Sequence, residues 1–154
     1  MLKDSIKLTG ELKLTLTNEG GDVTHEVIVP NTVVTAGKGF IASRMNTTTT
    51  TMSHVELGTG TTGANVANTT LETIISGSRT ALTSTTVSTN TVVYVVTFPA
   101  GTGTGAVTEA GILNASSSGV LLCRTTFSVI NKAAADTLGI TLDNHCKLGV
   151  DYGS

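Results

Sequence analysis

Residues 6–17 read Ile-Lys-Leu-Thr-Gly-Glu-Leu-Lys-Leu-Thr-Leu-Thr, and this stretch decides the fold class. Leu12, Leu14 and Leu16 alternate with lysine and threonine. A period of two residues is typical of a β-strand that buries one face and exposes the other. The stretch therefore predicts a strand whose leucines contribute to an apolar core.

The alternation resumes after a turn. Residues 18–21, Asn-Glu-Gly-Gly, have turn composition, and a second alternating run then continues up to Pro30. Two alternating runs joined by such a turn predict a hairpin. Residues 6–29 are therefore expected to form one long hairpin.

Further strand patterns follow along the chain. The strongest, Val-Val-Tyr-Val-Val at 92–96, lies in a predicted hairpin over 79–98. Another hairpin is predicted over 106–128, and the last clear strand over 137–143. About eight short strands result, which favours a mainly β fold. We expect a single-domain β-sandwich or jelly-roll-like pair of sheets over residues 1–154.

One segment departs from the β pattern. Phe40, Ile41 and Met45 lie at helical spacing and predict one short helix near residues 35–45. Thr35 is the predicted N-cap. Two glycines inside the segment each weaken a helix by about 1 kcal/mol relative to alanine.

The composition excludes several classes of partner. Threonine makes up about a fifth of the chain, charged residues are 13%, and the net charge is -2. A polyphosphate-binding surface needs a clustered cationic face, so no nucleic-acid partner is expected. No apolar run of about 18 residues occurs, so no membrane span is predicted. The opening residues also lack the apolar core of a secretory signal.

A glycine-rich segment over 58–63 formally matches the G-x-G-x-x-G pattern of dinucleotide sites. Such a site needs a helix directly after the glycines, because the helix N-terminus faces the pyrophosphate. The continuation over 64–70 is rich in asparagine and threonine and predicts a loop instead. No cofactor is therefore expected.

Metal-binding and nucleophilic patterns are equally weak. His54 and Glu56 share a strand face, but no H-x-x-x-H or C-x-x-C pair accompanies them, so no metal site is expected. No G-x-S-x-G elbow is present, and no catalytic residue is assigned. Cys123 is predicted to be a small core residue, and a bridge from it to Cys146 is left open.

Glu109 is the most unusual carboxylate. It stands in Val-Thr-Glu-Ala-Gly-Ile-Leu over 107–113, among small and apolar residues on a predicted strand. Such a group is expected to be half-buried, with a raised pKa or a backbone hydrogen-bond partner. A structural hydrogen-bonding role is favoured over a general base, because no partner acid or base can be named.

Several blocks occur in a characteristic order. The main ones are Ser-His-Val-Glu-Leu-Gly-Thr-Gly-Thr-Thr at 53–62, Arg-Thr-Ala-Leu-Thr-Ser at 79–84, Thr-Glu-Ala-Gly-Ile-Leu-Asn at 108–114 and Leu-Leu-Cys-Arg-Thr at 121–125. This order resembles a group of small tailed-bacteriophage virion proteins, often described as structural or tail-fibre-like. The resemblance covers residues 33–142. It weakens at the end, where a Trp-containing strand would be expected.

The resemblance implies a non-enzymatic virion structural protein. Within that group, a stand-alone chain of this size most resembles capsid decoration or cement proteins, which bind and stabilise the assembled shell, often as trimers. The implied partners are further copies of the chain and the major capsid protein or other virion proteins. The implied location is the virion, after assembly in the bacterial cytoplasm. The alternative is a tail component: a fibre base, a collar piece or a baseplate adaptor.

The predicted contacts with neighbours lie in the N-terminal hairpin. Residues 1–30 are interpreted as an arm that reaches a neighbouring subunit by pairing of strands. The expected interface residues are Leu12, Leu14, Val27 and Val29.

Two other functional classes are weighed against this one. A carbohydrate-binding sandwich is disfavoured because the chain has no Trp and 2 Tyr, which leaves few aromatic side chains for sugar contacts. A small hydrolase would have to use His54 or His145, with Asp143 and a serine, and nothing in the spacing assembles such a triad.

Overall fold

The computed structural model describes residues 3–47 and 50–151. The strands of this part of the chain are β1 (Lys3–Thr17), β2 (Val23–Pro30), β3 (Thr32–Val33), β4 (His54–Gly58), β5 (Thr80–Ala81), β6 (Ser84–Ser88), β7 (Thr91–Phe98), β8 (Gly105–Leu113), β9 (Leu121–Lys132) and β10 (Thr137–Asp151). One helix is described, α1 (Thr35–Ser43). No helix within these residues is long and apolar enough to span a membrane.

The strands form two sheets, which confirms the predicted β-sandwich. Sheet A has the order β2-β1-β10-β7-β6, and sheet B has the order β3-β9-β8-β4-β5. Adjacent strands in both sheets run antiparallel. The apolar faces of the two sheets meet in a single large core.

The two longest strands form the middle of sheet A. β1 pairs with β10 from Lys3↔Asp151 to Thr17↔Thr137. Leu12 and Leu14 face the core, as their alternation predicts, opposite Leu142 and Ile140. Because β1 lies between β2 and β10, the N-terminal hairpin belongs to the body of the sandwich rather than forming a detached arm.

The middle of sheet B is buried on both faces. Its inner face contributes apolar residues such as Val55 and Ile112 to the core. Its outer face is covered by residues 59–79, the segment between β4 and β5, which we call the cover loop. Leu71 of this loop lies against Gly111 of β8, where a Cβ would be 2.9 Å from the leucine side chain. Burial on both faces explains why β8 and β9 carry few exposed residues.

Helix α1 confirms the predicted helix, but its start differs in detail. Val34 occupies the N-cap position, without a capping hydrogen bond from its side chain, and Thr35 is the first helical residue. The prediction of Thr35 as N-cap was therefore wrong. Gly37 is required despite its low helix propensity, because a Cβ there would collide with the Leu122 carbonyl of β9.

Two other segments differ from their predicted form. The predicted strand over 79–87 is divided: β5 joins sheet B and β6 joins sheet A. Its two halves pair with different sheets, which a local pattern cannot reveal. The strand predicted over 137–143 extends to Asp151, because β1 offers it a partner along its whole length.

Candidate functional site

The glycine-rich segment over 58–63 approaches a carboxylate of the protein itself. It leads into the cover loop rather than into a helix, so it lacks the helix N-terminus of a pyrophosphate site. The Gly60 amide donates to Oε1 of Glu109 at 3.0 Å. A Cβ on Gly60 would lie 2.5 Å from that oxygen, and a Cβ on Gly58 would also contact it. The glycines therefore allow the backbone to close on Glu109.

Glu109 is fully buried and accepts four hydrogen bonds. Its Oε1 accepts from the amides of Gly60 and Thr73 at 3.0 and 2.8 Å. Its Oε2 accepts from the Glu72 amide at 3.0 Å and from Nε of Arg124 at 2.7 Å. These bonds confirm the expected backbone partner. They use the acceptor capacity of the carboxylate, so the group anchors the cover loop to β8.

Arg124 links the same loop to β9. The residue is 1% exposed, and its Nε contacts Glu109. Nη2 donates to the Thr62 carbonyl at 3.0 Å and to Oε2 of Glu72 at 3.3 Å. Nη1 donates to Oδ1 of Asn68 at 3.1 Å. A guanidinium offers five N–H donors in a fixed plane, so one side chain can fix several points of an irregular loop.

Glu72 completes this network at the surface. Oε1 accepts from the Thr62 hydroxyl at 2.7 Å, and Oε2 accepts from the Thr62 amide at 2.9 Å. These hydrogen bonds, with the first making the largest contribution, hold the pKa of Glu72 below its usual value, and the charge of Arg124 lowers it further. The carboxylate is 39% exposed, so water screens its pairing with Arg124.

A second ion pair supports the other end of the cover loop. Arg79 contacts Glu56 through two parallel bonds, at 3.1 Å from Nε and 2.9 Å from Nη2. Its Nη1 donates to the Ser118 carbonyl at 2.8 Å, which ties the β8–β9 turn to the loop. Both carboxylate oxygens of Glu56 are therefore paired with Arg79. Within residues 3–47 and 50–151, no cluster of His, Cys, Asp and Glu is placed to hold a metal ion.

The histidines considered for catalysis are hydrogen-bonded to hydroxyl groups. A ring nitrogen of His54 lies 2.8 Å from Oγ of Ser53, and one of His145 lies 2.8 Å from Oγ1 of Thr91. In the part of the chain that the structure describes, no hydrogen bond joins His145 to Asp143. The described residues therefore do not form a Ser-His-Asp triad.

Both cysteines are free thiols. Cys123 is buried in the core as predicted, and burial raises the pKa of its thiol to about 12. Cys146 lies on β10 and is exposed. The bridge that the sequence left open is not formed.

The predicted interface residues lie on the inner face of the hairpin. Leu12 and Leu14 are 1% and 0% exposed in the core of the single chain, so an intact sandwich does not offer them to a partner. Val27 and Val29 are half-buried against the same core. A contact made by this hairpin would instead use its tip or the free edge of β2.

Exposed apolar residues lie around α1, at one end of sheet A. Ile6 and Met45 are 60% and 87% exposed. Under the helix, a cavity of about 160 Å³ lies between its Phe40 and Ile41 and the Tyr94 ring of β7. Burial raises the pKa of the Tyr94 hydroxyl. This end of the molecule is therefore apolar and incompletely covered, in contrast to the outer face of sheet B.

Together, these features define a β-sandwich with a buried ionic network on one sheet and an open apolar end on the other. No protein-family model, curated protein or solved structure matches the chain. Its function is therefore inferred from its own residues and their geometry.

Proposed function

We propose that the chain is a non-enzymatic structural protein of a tailed-bacteriophage virion, acting as a capsid decoration or cement protein. The observation that carries the proposal is where the resembling motifs lie. The blocks at 53–62, 79–84, 108–114 and 121–125 supply four charged residues, which form the partly buried Glu56–Arg79 pair and the buried Glu109–Arg124 pair.

This placement gives the resemblance a physical basis. A motif that anchors a cover loop preserves a fold, whereas a motif that supplies exposed reactive groups would preserve a reaction. The matching residues here are fixed by hydrogen bonds to one another and to the backbone. They support a shared fold, and a shared structural role requires a shared fold.

The surface is suited to assembly. β6, Ser-Thr-Thr-Val-Ser, is an edge strand whose residues are all exposed, and β2 is the opposite edge of sheet A. Free edges can add a neighbour's strand through main-chain hydrogen bonds. Uncharged short side chains also reduce the desolvation cost of such a contact.

A decoration protein stabilises a shell by linkage. It binds the assembled lattice in preference to free subunits, so its binding free energy is added to the stability of the shell. The proposed partners are copies of the chain, in a trimer, and the major capsid protein.

The test is the composition of purified particles. Particles washed in high salt are expected to retain the chain at a fixed ratio to the major capsid protein, and labelled chains are expected on the shell in electron micrographs. A matched preparation from a genome lacking this gene should release its contents at lower temperature. Absence of the chain from washed particles would reject a virion role.

The same images separate the two structural alternatives. Label confined to the tail, at low copy number, would replace the decoration role by a fibre-base, collar or baseplate role.

A further inference from the structure

One end of sheet A carries an apolar groove with a basic rim. The groove, here called the α1 groove, measures about 560 Å³ and is lined by Ile6, Lys7, Leu8, Lys38, Ile41, Ala42 and Met45. Ile6 and Met45 are its most exposed apolar members. Such a contiguous apolar surface is typical of a contact site.

The charges around the α1 groove are mostly positive. Lys7 and Lys38 are exposed at its rim, and no ion pair between described residues includes either of them. The described rim of the groove therefore carries two positive charges.

The opposite end of the same sheet is acidic. The turn between β1 and β2, with the first residue of β2, spans residues 18–23 and is here called the hairpin tip. Glu19 and Asp22 are exposed there, beside Val23, which is 59% exposed.

We propose that the hairpin tip of one copy docks in the α1 groove of the next copy. Val23 contacts the apolar floor near Met45, while the two tip carboxylates face Lys7 and Lys38. The tip cannot fill its own groove, because ten residues of extended strand, about 33 Å, separate Lys7 from Thr17. The contact therefore requires a second molecule.

This contact is head-to-tail, since it joins two different surfaces of identical chains. Head-to-tail contacts form a closed ring when the rotation between copies closes, and an open filament when it does not. A closed ring of three would give the trimer of the proposed function. The inference deepens that proposal by naming the self-association surface, and it rests on it for the expectation that copies meet.

The two kinds of complementarity have different roles. Burial of the groove and Val23 supplies most of the affinity, because exposed ion pairs contribute little. The opposite charges select the orientation and exclude tip-to-tip and groove-to-groove contacts. Charge variants are therefore the sharpest test of which surfaces meet.

The experiment measures self-association of the full chain by sedimentation velocity over a concentration series. Glu19→Lys with Asp22→Lys, and separately Lys7→Glu with Lys38→Glu, are each expected to weaken association about tenfold or more. The variant that combines all four reversals should regain the wild-type association, since every contact is again between opposite charges. Glu11→Lys, exposed in the middle of β1, is the control and should associate as the wild type does. Circular dichroism checks the fold of each variant.

Two results would overturn the docking. One is a wild-type chain that stays monomeric at every concentration; the other is an oligomer that neither pair of reversals weakens, or that the combined variant fails to restore. Both leave the virion role standing if particles contain the chain. Conversely, rescue by the combined variant with no chain in particles would retain the docking and reject the virion role.

Discussion

Charged and apolar side chains are arranged in opposite ways on the outer face of sheet B and at the α1 end of sheet A. Under the cover loop, Glu109 and Arg124 are buried, paired and hydrogen-bonded. Around α1, Ile6 and Met45 are exposed, and the lysines beside them take part in no ion pair among the described residues. The charged groups of the first region have their partners within one chain, whereas the apolar side chains of the second region are left exposed.

This contrast separates stability from assembly. A buried charge must have its partners in the folded monomer, because an unpaired one is costly. An exposed apolar group tolerates the absence of a partner and gains from finding one. Substitutions in the first region should therefore unfold the chain, whereas substitutions in the second should change only its association.

The largest effect is expected for Arg124→Met. It leaves the Glu109 carboxylate buried without its cation, which typically costs about 3–5 kcal/mol of unfolding free energy. Urea unfolding at neutral pH, followed by circular dichroism, measures the loss. A loss below about 1 kcal/mol would show that water replaces the guanidinium and that the network is not a closed one.

Two further variants sharpen this result. Adding Glu109→Gln to Arg124→Met removes both charges, so the double variant should lose less than the sum of the single losses. Arg79→Met is the matched comparison, because its side chain is 16% exposed and its ion pair is more accessible to water. It should cost less than Arg124→Met.

A smaller loss is expected for Gly60→Ala. The added methyl would collide with the Glu109 carboxylate and with the Glu72 side chain. Overpacking of this kind costs about 1–3 kcal/mol. Gly63→Ala is the control in the same loop, because nothing lies within 4 Å of its Cβ position. Equal stability of the two variants, by the same urea measurement, would contradict the close approach of the loop to Glu109.

The sequence predicts the sandwich well where local pattern and tertiary structure agree. The alternation of Leu12 and Leu14 identifies the core face of β1, and helical spacing identifies α1. The pairing of β1 with β10 was not predicted, since nothing local to either strand specifies a partner at the other end of the chain. The division between β5 and β6 was missed for the same reason.

The polar network was only partly predictable. Glu109 stood out as a carboxylate among apolar residues, and its backbone partners were anticipated. Arg124 was not predicted as the partner of Glu109. It directly follows the apolar run at 120–123, so it is, like Glu109, a charged residue in an apolar strand. Two opposite charges in apolar strands of one predicted hairpin would have suggested the pair. No sequence pattern distinguishes Glu72, because its role depends on the path of the cover loop in the folded chain.

A weaker effect, which disappears in acid, is expected for Glu72→Gln. The pKa of Glu72 is lower in the folded chain than its usual value of 4.5, so its stabilisation is present above that pH. The stabilisation is lost as the pH falls through the lowered folded pKa. Glutamine does not titrate. The stability difference between wild type and variant, from urea curves at a series of pH values, should therefore shrink as the pH falls below 4.5. A difference independent of pH would show that the carboxylate charge has no part in holding Thr62.

The smallest effect is expected for Met45→Ser at the α1 end. Because Met45 is 87% exposed, the monomer loses almost no buried area, and its unfolding free energy should stay within about 0.5 kcal/mol of the wild type. Met52→Ser is the matched control: Met52 is 4% exposed in the core, and its replacement should cost about 2–5 kcal/mol. Both are measured by urea unfolding at a concentration where the chain is monomeric. A loss above about 1 kcal/mol for Met45→Ser would mean that the α1 end is packed within the single chain, and the contrast between the two regions would fail.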